Sequence, residues 1–268
     1  MALDRPIYEI SNASEFGAEL SFGLLTVVAL VYCVWLARRA RKVWPVMVWL
    51  SGAPMTLWEP MQNIVTHCVY PEIGQHEAFA IFGLAMPVYL VFVYMCYFGL
   101  AVPWIMLRIE RGITVRQLAT IYAALVVSAL AFEPVPVSGF KWWNYYGSNQ
   151  PLKFFGTPIW WAFVNAMVIV GVAVIFQLLL THVLRADWQS VVFVPAAFFI
   201  CAGLHESAGS PAYAAIGSNW RLAVTVPMSL LSCGLAVVYV LLLARLVAVP
   251  KPARSHADQA PDRVEALS

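Results

Sequence analysis

The sequence predicts an all-α fold, a polytopic membrane bundle of seven transmembrane helices. Three observations carry that prediction. Hydrophobic residues make up 62% of the 268 and charged ones only 11%, with a mean hydropathy of +0.76, whereas soluble domains are about 25% charged. Apolar stretches long enough to cross a hydrocarbon core of about 30 Å recur seven times. Lys and Arg gather at alternate ends of those stretches.

The first stretch, Leu20 to Ala37, follows an acidic and polar segment from Asp4 to Glu15. A secretory signal would be preceded by basic residues, so this span is expected to stay in the mature protein. The others run from Val43 to His67, Phe79 to Leu107, Gln117 to Glu133, Pro158 to Leu184, Ser190 to His205 and Leu222 to Val249. Residues 1–249 thus form the transmembrane domain. Residues 250–268, rich in Pro, Ala and charge, read as a disordered cytoplasmic tail.

Twelve of the 16 Lys and Arg residues fall on one side of the expected spans, and four, Arg5, Lys141, Lys153 and Arg221, fall on the other. The positive-inside rule then puts the N-terminus outside, the C-terminus in the cytoplasm and the chain in the cell membrane. A net charge of +2, scattered along the chain, offers no nucleic-acid surface. The five cysteines lack the paired spacing of zinc sites or disulfide frameworks and read as apolar fillers. The sequence specifies no oligomeric state.

A repeat is visible within the spans. Trp58-Glu59-Pro60 is followed by Phe82-Gly83 and Pro87, and Phe132-Glu133-Pro134 by Phe155-Gly156 and Pro158. Phe-Gly comes 23 residues after the first glutamate and 22 after the second. His205-Glu206 followed by Pro227 reads as a third, degraded unit, and the three glutamates are 74 and 73 residues apart. Each unit predicts a helix that ends at a glutamate, an outer loop and a returning helix. The expected pairs are helices 2-3, 4-5 and 6-7, arranged around a common cavity.

Carboxylates inside apolar spans cost roughly 2.5 to 3.5 kcal/mol each on insertion scales, so they mark sites. The Glu59-Pro60 step should loosen the second helix and free the Thr56 carbonyl, which then needs water or a polar partner. Asn63 and His67 follow Glu59 at intervals of four, on one helix face. A carboxyl kept protonated near neutrality is a general acid, and an ionised neighbour is a base. Glu59, Glu133, Glu206 and His67 are therefore the candidate catalytic groups, with Glu59 the leading acid and Glu133 its counterpart. Aromatic faces stabilise cationic intermediates without attacking them, and the outer loop is dense in rings. Trp58, Trp142, Trp143, Tyr145, Tyr146 and Trp160, with Asn63, Asn165 and His205, are the candidate substrate-binding residues.

Other readings compete. Trp160, Trp161 and Trp220 also suit an interfacial aromatic belt. Glu133, nearer the interface, also suits simple solvation, and Glu206 precedes a small-residue stretch, Ser207 to Ser218, that reads as an ordinary loop. His67 and His205 suit helix-end hydrogen bonding, and Asn165 suits a bond between helices.

Several classes are disfavoured. The last span has no lysine for a retinal Schiff base, and the few aspartates form no diphosphate-magnesium cluster. Phosphate-binding loop, dinucleotide fingerprint, nucleophile elbow and metal-ligand helix signature are all missing. Catalysis is expected to use no cofactor and no metal.

Leu57-Trp58-Glu59-Pro60-Met61-Gln62-Asn63, Phe132-Glu133-Pro134, Trp142-Trp143-Asn144-Tyr145-Tyr146-Gly147 and Phe155-Gly156-Thr157-Pro158-Ile159-Trp160-Trp161 together resemble the AveC-like spirocyclase family, over roughly Val43 to Trp220. The resemblance implies a membrane protein that dehydrates a polyketide and closes a spiroketal. The layout of acids and aromatics is also similar to small integral-membrane terpene cyclases and carotenoid hydratases. The expected function is a membrane cyclase or dehydratase acting on a lipophilic polyketide or isoprenoid, with membrane lipids as its surroundings. A carrier or binding protein for such a molecule is the alternative.

Overall fold

Ser11 opens the first helix by accepting the Ser14 N–H on its side chain (3.3 Å), and Arg41 closes it in the left-handed conformation, so α1 runs Asn12–Ala40. Both ends thereby satisfy backbone groups that a helix leaves free. The structure, a computed structural model, describes residues 5–248; the expected tail at 250–268 lies outside the described residues.

The fold is mostly helical. Besides α1, the long helices are α4 (Val88–Glu110), α5 (Val115–Phe132), α6 (Ile159–Leu178), α7 (Phe193–Gly217) and α8 (Leu222–Val247). These six are long and apolar enough to cross a membrane, which makes this a multi-pass membrane protein.

The expected span from Val43 to His67 is divided into α2 (Trp44–Met55), a 3-10 turn at Thr56–Trp58 and α3 (Glu59–Thr66). Pro60 has no N–H to give Thr56, and the chain tightens so that the Glu59 N–H reaches the Thr56 carbonyl instead. The Thr56 carbonyl, expected to need water or a polar partner, takes that partner from the backbone. Pro60 sits in the first turn of α3, where a missing donor costs nothing.

The expected start of the third span at Phe79 is corrected by a hairpin. Strand β2 (Glu77–Ile81) pairs with β3 (Leu84–Pro87), and α4 begins only at Val88. The Phe-Gly repeat is the turn of this hairpin. Phe82 and Gly83 have φ of 55° and 70°, and Phe155 and Gly156, between β5 (Lys153–Phe154) and β6 (Thr157–Pro158), have 44° and 84°. Positive φ at both central residues is the two-residue hairpin geometry that matches strand twist. Pro87 and Pro158 then lead into α4 and α6.

The third unit departs from this plan. Helix α7 runs through Ser207 and Pro211 to Gly217, so the segment that reads as a loop is mainly helix, and no hairpin precedes α8 among the described residues.

Within each expected pair the helices pack together, α2 on α4, α5 on α6 and α7 on α8. Helix α6, apolar all round, is the central one and touches α4, α5, α7 and α8. Helix α1 lies against α2 and α4.

Outside the helices, β1 (Cys68–Val69) pairs antiparallel with β4 (Asn144–Tyr145). The Trp142 indole donates to the Ser14 carbonyl (3.1 Å), and the Tyr146 N–H donates to the His67 carbonyl (2.9 Å). The aromatic loop is thus tied to α1 and to the end of α3.

Candidate functional site

Glu59 opens α3 and Glu133 caps α5, and both carboxyls line one cavity of about 410 Å³. They are 5% and 7% exposed. Phe22 and Leu25 of α1, Tyr94, Cys96 and Tyr97 of α4, and Ser128 and Phe132 of α5 form most of the wall. Trp161 and Asn165 of α6 contribute the central side, while Tyr70, Trp143 and Tyr145 come from the loops between helices. The lining is largely apolar and aromatic, with few polar groups, as small-molecule pockets generally are.

The acids differ in what they accept. Tyr70 Oη donates to Glu59 Oε1 at 2.7 Å, and Tyr94 Oη donates to Glu59 Oε2, so both oxygens are engaged. Tyr145 Oη (2.6 Å) and Trp143 Nε1 (3.4 Å) both donate to Glu133 Oε1. No hydrogen bond reaches Glu133 Oε2 among the described residues. Of the two acids, only Glu133 keeps an oxygen available to a third molecule.

Tyr70 and Tyr145 lie in the loops between helices, and their hydroxyls are held well above a phenol's ordinary value. Burial is the main cause for both, followed by the neighbouring acid, Glu59 for Tyr70 and Glu133 for Tyr145. Both phenols stay protonated at neutral pH and act as donors.

Leu25, Ser128 and Phe132 line the cavity and are also exposed. The chamber therefore opens between α1 and α5, along the flank of the bundle.

Of the residues singled out from sequence, Glu59, Glu133, Trp143, Tyr145 and Asn165 meet in this cavity. The others are placed elsewhere. Asn63 turns toward the Met86 sulfur (3.9 Å), and His67 stacks on Tyr146 at 5.0 Å. Glu59, Asn63 and His67 are all buried but do not share one site, because His67 leaves the helix in a left-handed conformation. Trp58 packs edge-on against Phe198, and Trp142 packs against Phe22 and Phe140. Trp160 is enclosed by Trp161 and Tyr213. His205 stacks behind Trp161 (5.4 Å) with Nδ1 3.2 Å from Tyr213 Oη, so it backs the wall without lining it. Glu206 is half-buried on α7, receives the Ser210 hydroxyl on its carbonyl and does not line the cavity. The arrangement brings two acids together, not three.

Tyr70, Tyr94 and Tyr97 are the site residues that sequence reasoning missed. Tyr70 had a signal, since it follows Glu59 by 11 residues as Tyr145 follows Glu133 by 12. Tyr94 had none, because only the packing of α2 on α4 brings it to Glu59. In comparisons with known proteins, no family model, no curated protein and no solved structure matches the chain.

Proposed function

We propose that this protein is an integral-membrane cyclase or dehydratase that acts on a lipophilic polyketide or isoprenoid by acid–base catalysis, in line with its resemblance to AveC-like spirocyclases. The observation that carries the reading is the pair of buried acids in one aromatic-walled cavity, of which one keeps an oxygen unengaged. Glu133 is the group that meets substrate. It gives its proton to a departing hydroxyl, or takes one from a hydroxyl that attacks a carbonyl or cation. Glu59, both of whose oxygens are held by the Tyr70 and Tyr94 hydroxyls, sets the local field of the same chamber. This reverses the order of importance expected from sequence.

Trp143, Trp161, Phe22 and Tyr97 suit positive charge developing on substrate carbon, through their ring faces. The flank opening suits entry from the bilayer. The chain sits in the cell membrane with its N-terminus outside, as the charge distribution favours.

The test uses purified protein in nanodiscs, incubated with lipid extract and followed by mass spectrometry. Loss of one water, or altered retention at constant mass, is expected with wild type and not with Glu133→Gln at equal protein level. The alternative is a carrier. It draws support from the largely apolar and aromatic lining of the cavity, which suits holding a lipophilic compound, and it would show as co-purification of an unchanged compound.

A further inference from the structure

Glu15 and Glu19 lie one turn apart on the outer end of α1, and His76 approaches both from the loop before β2. His76 Nδ1 is 2.9 Å from Glu19 Oε1 and 3.9 Å from Glu15 Oε1, and the three ligand atoms lie within 4.8 Å of one another. Donors around a tetrahedral zinc ion, with bonds of about 2.0 to 2.1 Å, stand about 3.3 Å apart. The observed separations bracket that value.

The second observation is the state of Glu15. It is 1% exposed, its Oε1 accepts the His76 N–H, and its Oε2 is buried with no hydrogen-bond partner among the described residues. A buried carboxylate oxygen without a donor is expensive, and no Lys or Arg forms an ion pair with Glu15 or Glu19 among the described residues. A cation seated between the two carboxylates and the imidazole removes that cost.

We propose that Glu15, Glu19 and His76 form a divalent-cation site at the outer rim of the bundle. One imidazole with two carboxylates is a zinc-type donor set, whereas calcium and magnesium prefer oxygen alone. The spacing hid the site from sequence reading, because His76 lies 57 residues from Glu19 and no short motif spans them.

The bound ion ties α1 to the loop segment that carries Tyr70. That segment already holds the extended residues before α1 through the Ile10 N–H to Ile73 carbonyl bond (3.0 Å). Phe22 and Leu25, within the next two turns of α1 after Glu19, line the cavity. The ion therefore fastens one wall of the chamber to another. The site stands independently of the reaction proposed above.

Full-length protein in detergent is stripped with EDTA, and zinc chloride is titrated while the melting temperature is followed by tryptophan fluorescence. Wild type is expected to bind one equivalent and to melt at least about 3 °C higher when saturated. His76→Ala, at a side chain 73% exposed and so compatible with folding, is expected to lose the shift. Glu19→Gln is expected to reduce it, and His182→Ala, at an exposed histidine on the far end, to keep it. Cobalt added in place of zinc should give visible d–d absorption in wild type and not in His76→Ala. The absence of a saturable shift in wild type would overturn the site, as would an undiminished shift in His76→Ala or a shift that disappears in His182→Ala.

Discussion

Cys68 and Tyr145 face each other across the two-residue antiparallel ladder of β1 and β4. This pairing links the two halves of the repeat. It carries Tyr145 to Glu133 and leaves Tyr70, two residues past Cys68, over Glu59. Each acid is thus met by a phenol from the loop that follows it, and the two loops hold each other in register.

The unequal engagement of the acids gives the first prediction. Glu133→Gln keeps the shape but cannot carry the proton, so turnover should fall by about 100-fold or more, the usual range for a lost general acid or base. Glu59→Gln places an amide N–H where one of two phenols now donates, and it should disturb folding as well as rate. Assay at matched folded protein, with melting temperature measured alongside, distinguishes the two. A Glu133→Gln variant as active as wild type would sink the role assigned to Glu133.

Tyr145 provides a pH prediction. Its folded-state value lies above the ordinary 10.0, so between pH 10 and that higher value the unfolded phenol has lost its proton while the folded one keeps it. The unfolded state then binds fewer protons, and stability falls as pH rises. Below about pH 10 the contribution is complete. Tyr145→Phe should lose about 1 to 3 kcal/mol at neutral pH with the hydrogen bond to Glu133 and show a shallower decline above pH 10. Urea denaturation at pH 8 and pH 11 measures both. Equal alkaline slopes in variant and wild type would count against the buried phenol.

The legible part of this fold came from long-range regularity. Apolar runs gave the helices, because a bilayer permits little else, and the repeated Glu-Pro with Phe-Gly gave the pairing of helices and the two acids. The third unit misled because Ser207 to Gly217, read as a loop from its small residues, continues α7 as helix. Small side chains in a membrane protein favour close helix contact as much as turns. Phe79 to Pro87 misled in the other direction, since a hairpin of apolar residues resembles the start of a span. The flank opening and Tyr94 depend on how helices lean together, which no local pattern encodes.

The two hairpin turns should tolerate alanine unequally. Gly83 and Gly156 both have positive φ, which costs any L-residue about 1 kcal/mol or more. A Cβ at Gly83 would meet open space, whereas one at Gly156 would come 2.9 Å from Val137 Cγ1 and 3.0 Å from Ser138 Oγ. Gly156→Ala should therefore destabilise by about 1 kcal/mol more than Gly83→Ala, by analogy with overpacked sites. Paired melting curves check the order, and a Gly83→Ala variant that melts lower than Gly156→Ala would contradict it.

Gly52 controls the site from a distance. It lies where α2 meets α4, and a Cβ there would stand 2.6 Å from the Tyr94 carbonyl oxygen and 2.7 Å from Met95 Cα. Both are backbone atoms, so no rotamer change relieves the clash, and α4 must move away from α2. Tyr94 moves with it, and the Tyr94 hydroxyl loses its place on Glu59 Oε2. Gly52→Ala should cost about 1 to 3 kcal/mol of stability and also lower turnover. Gly17→Ala on α1, where a Cβ would meet nothing within 4 Å, should affect neither. Melting temperature and product formation measured together for both variants test the coupling: a destabilised Gly52→Ala with full activity per folded molecule would show that Tyr94 need not be held where it is.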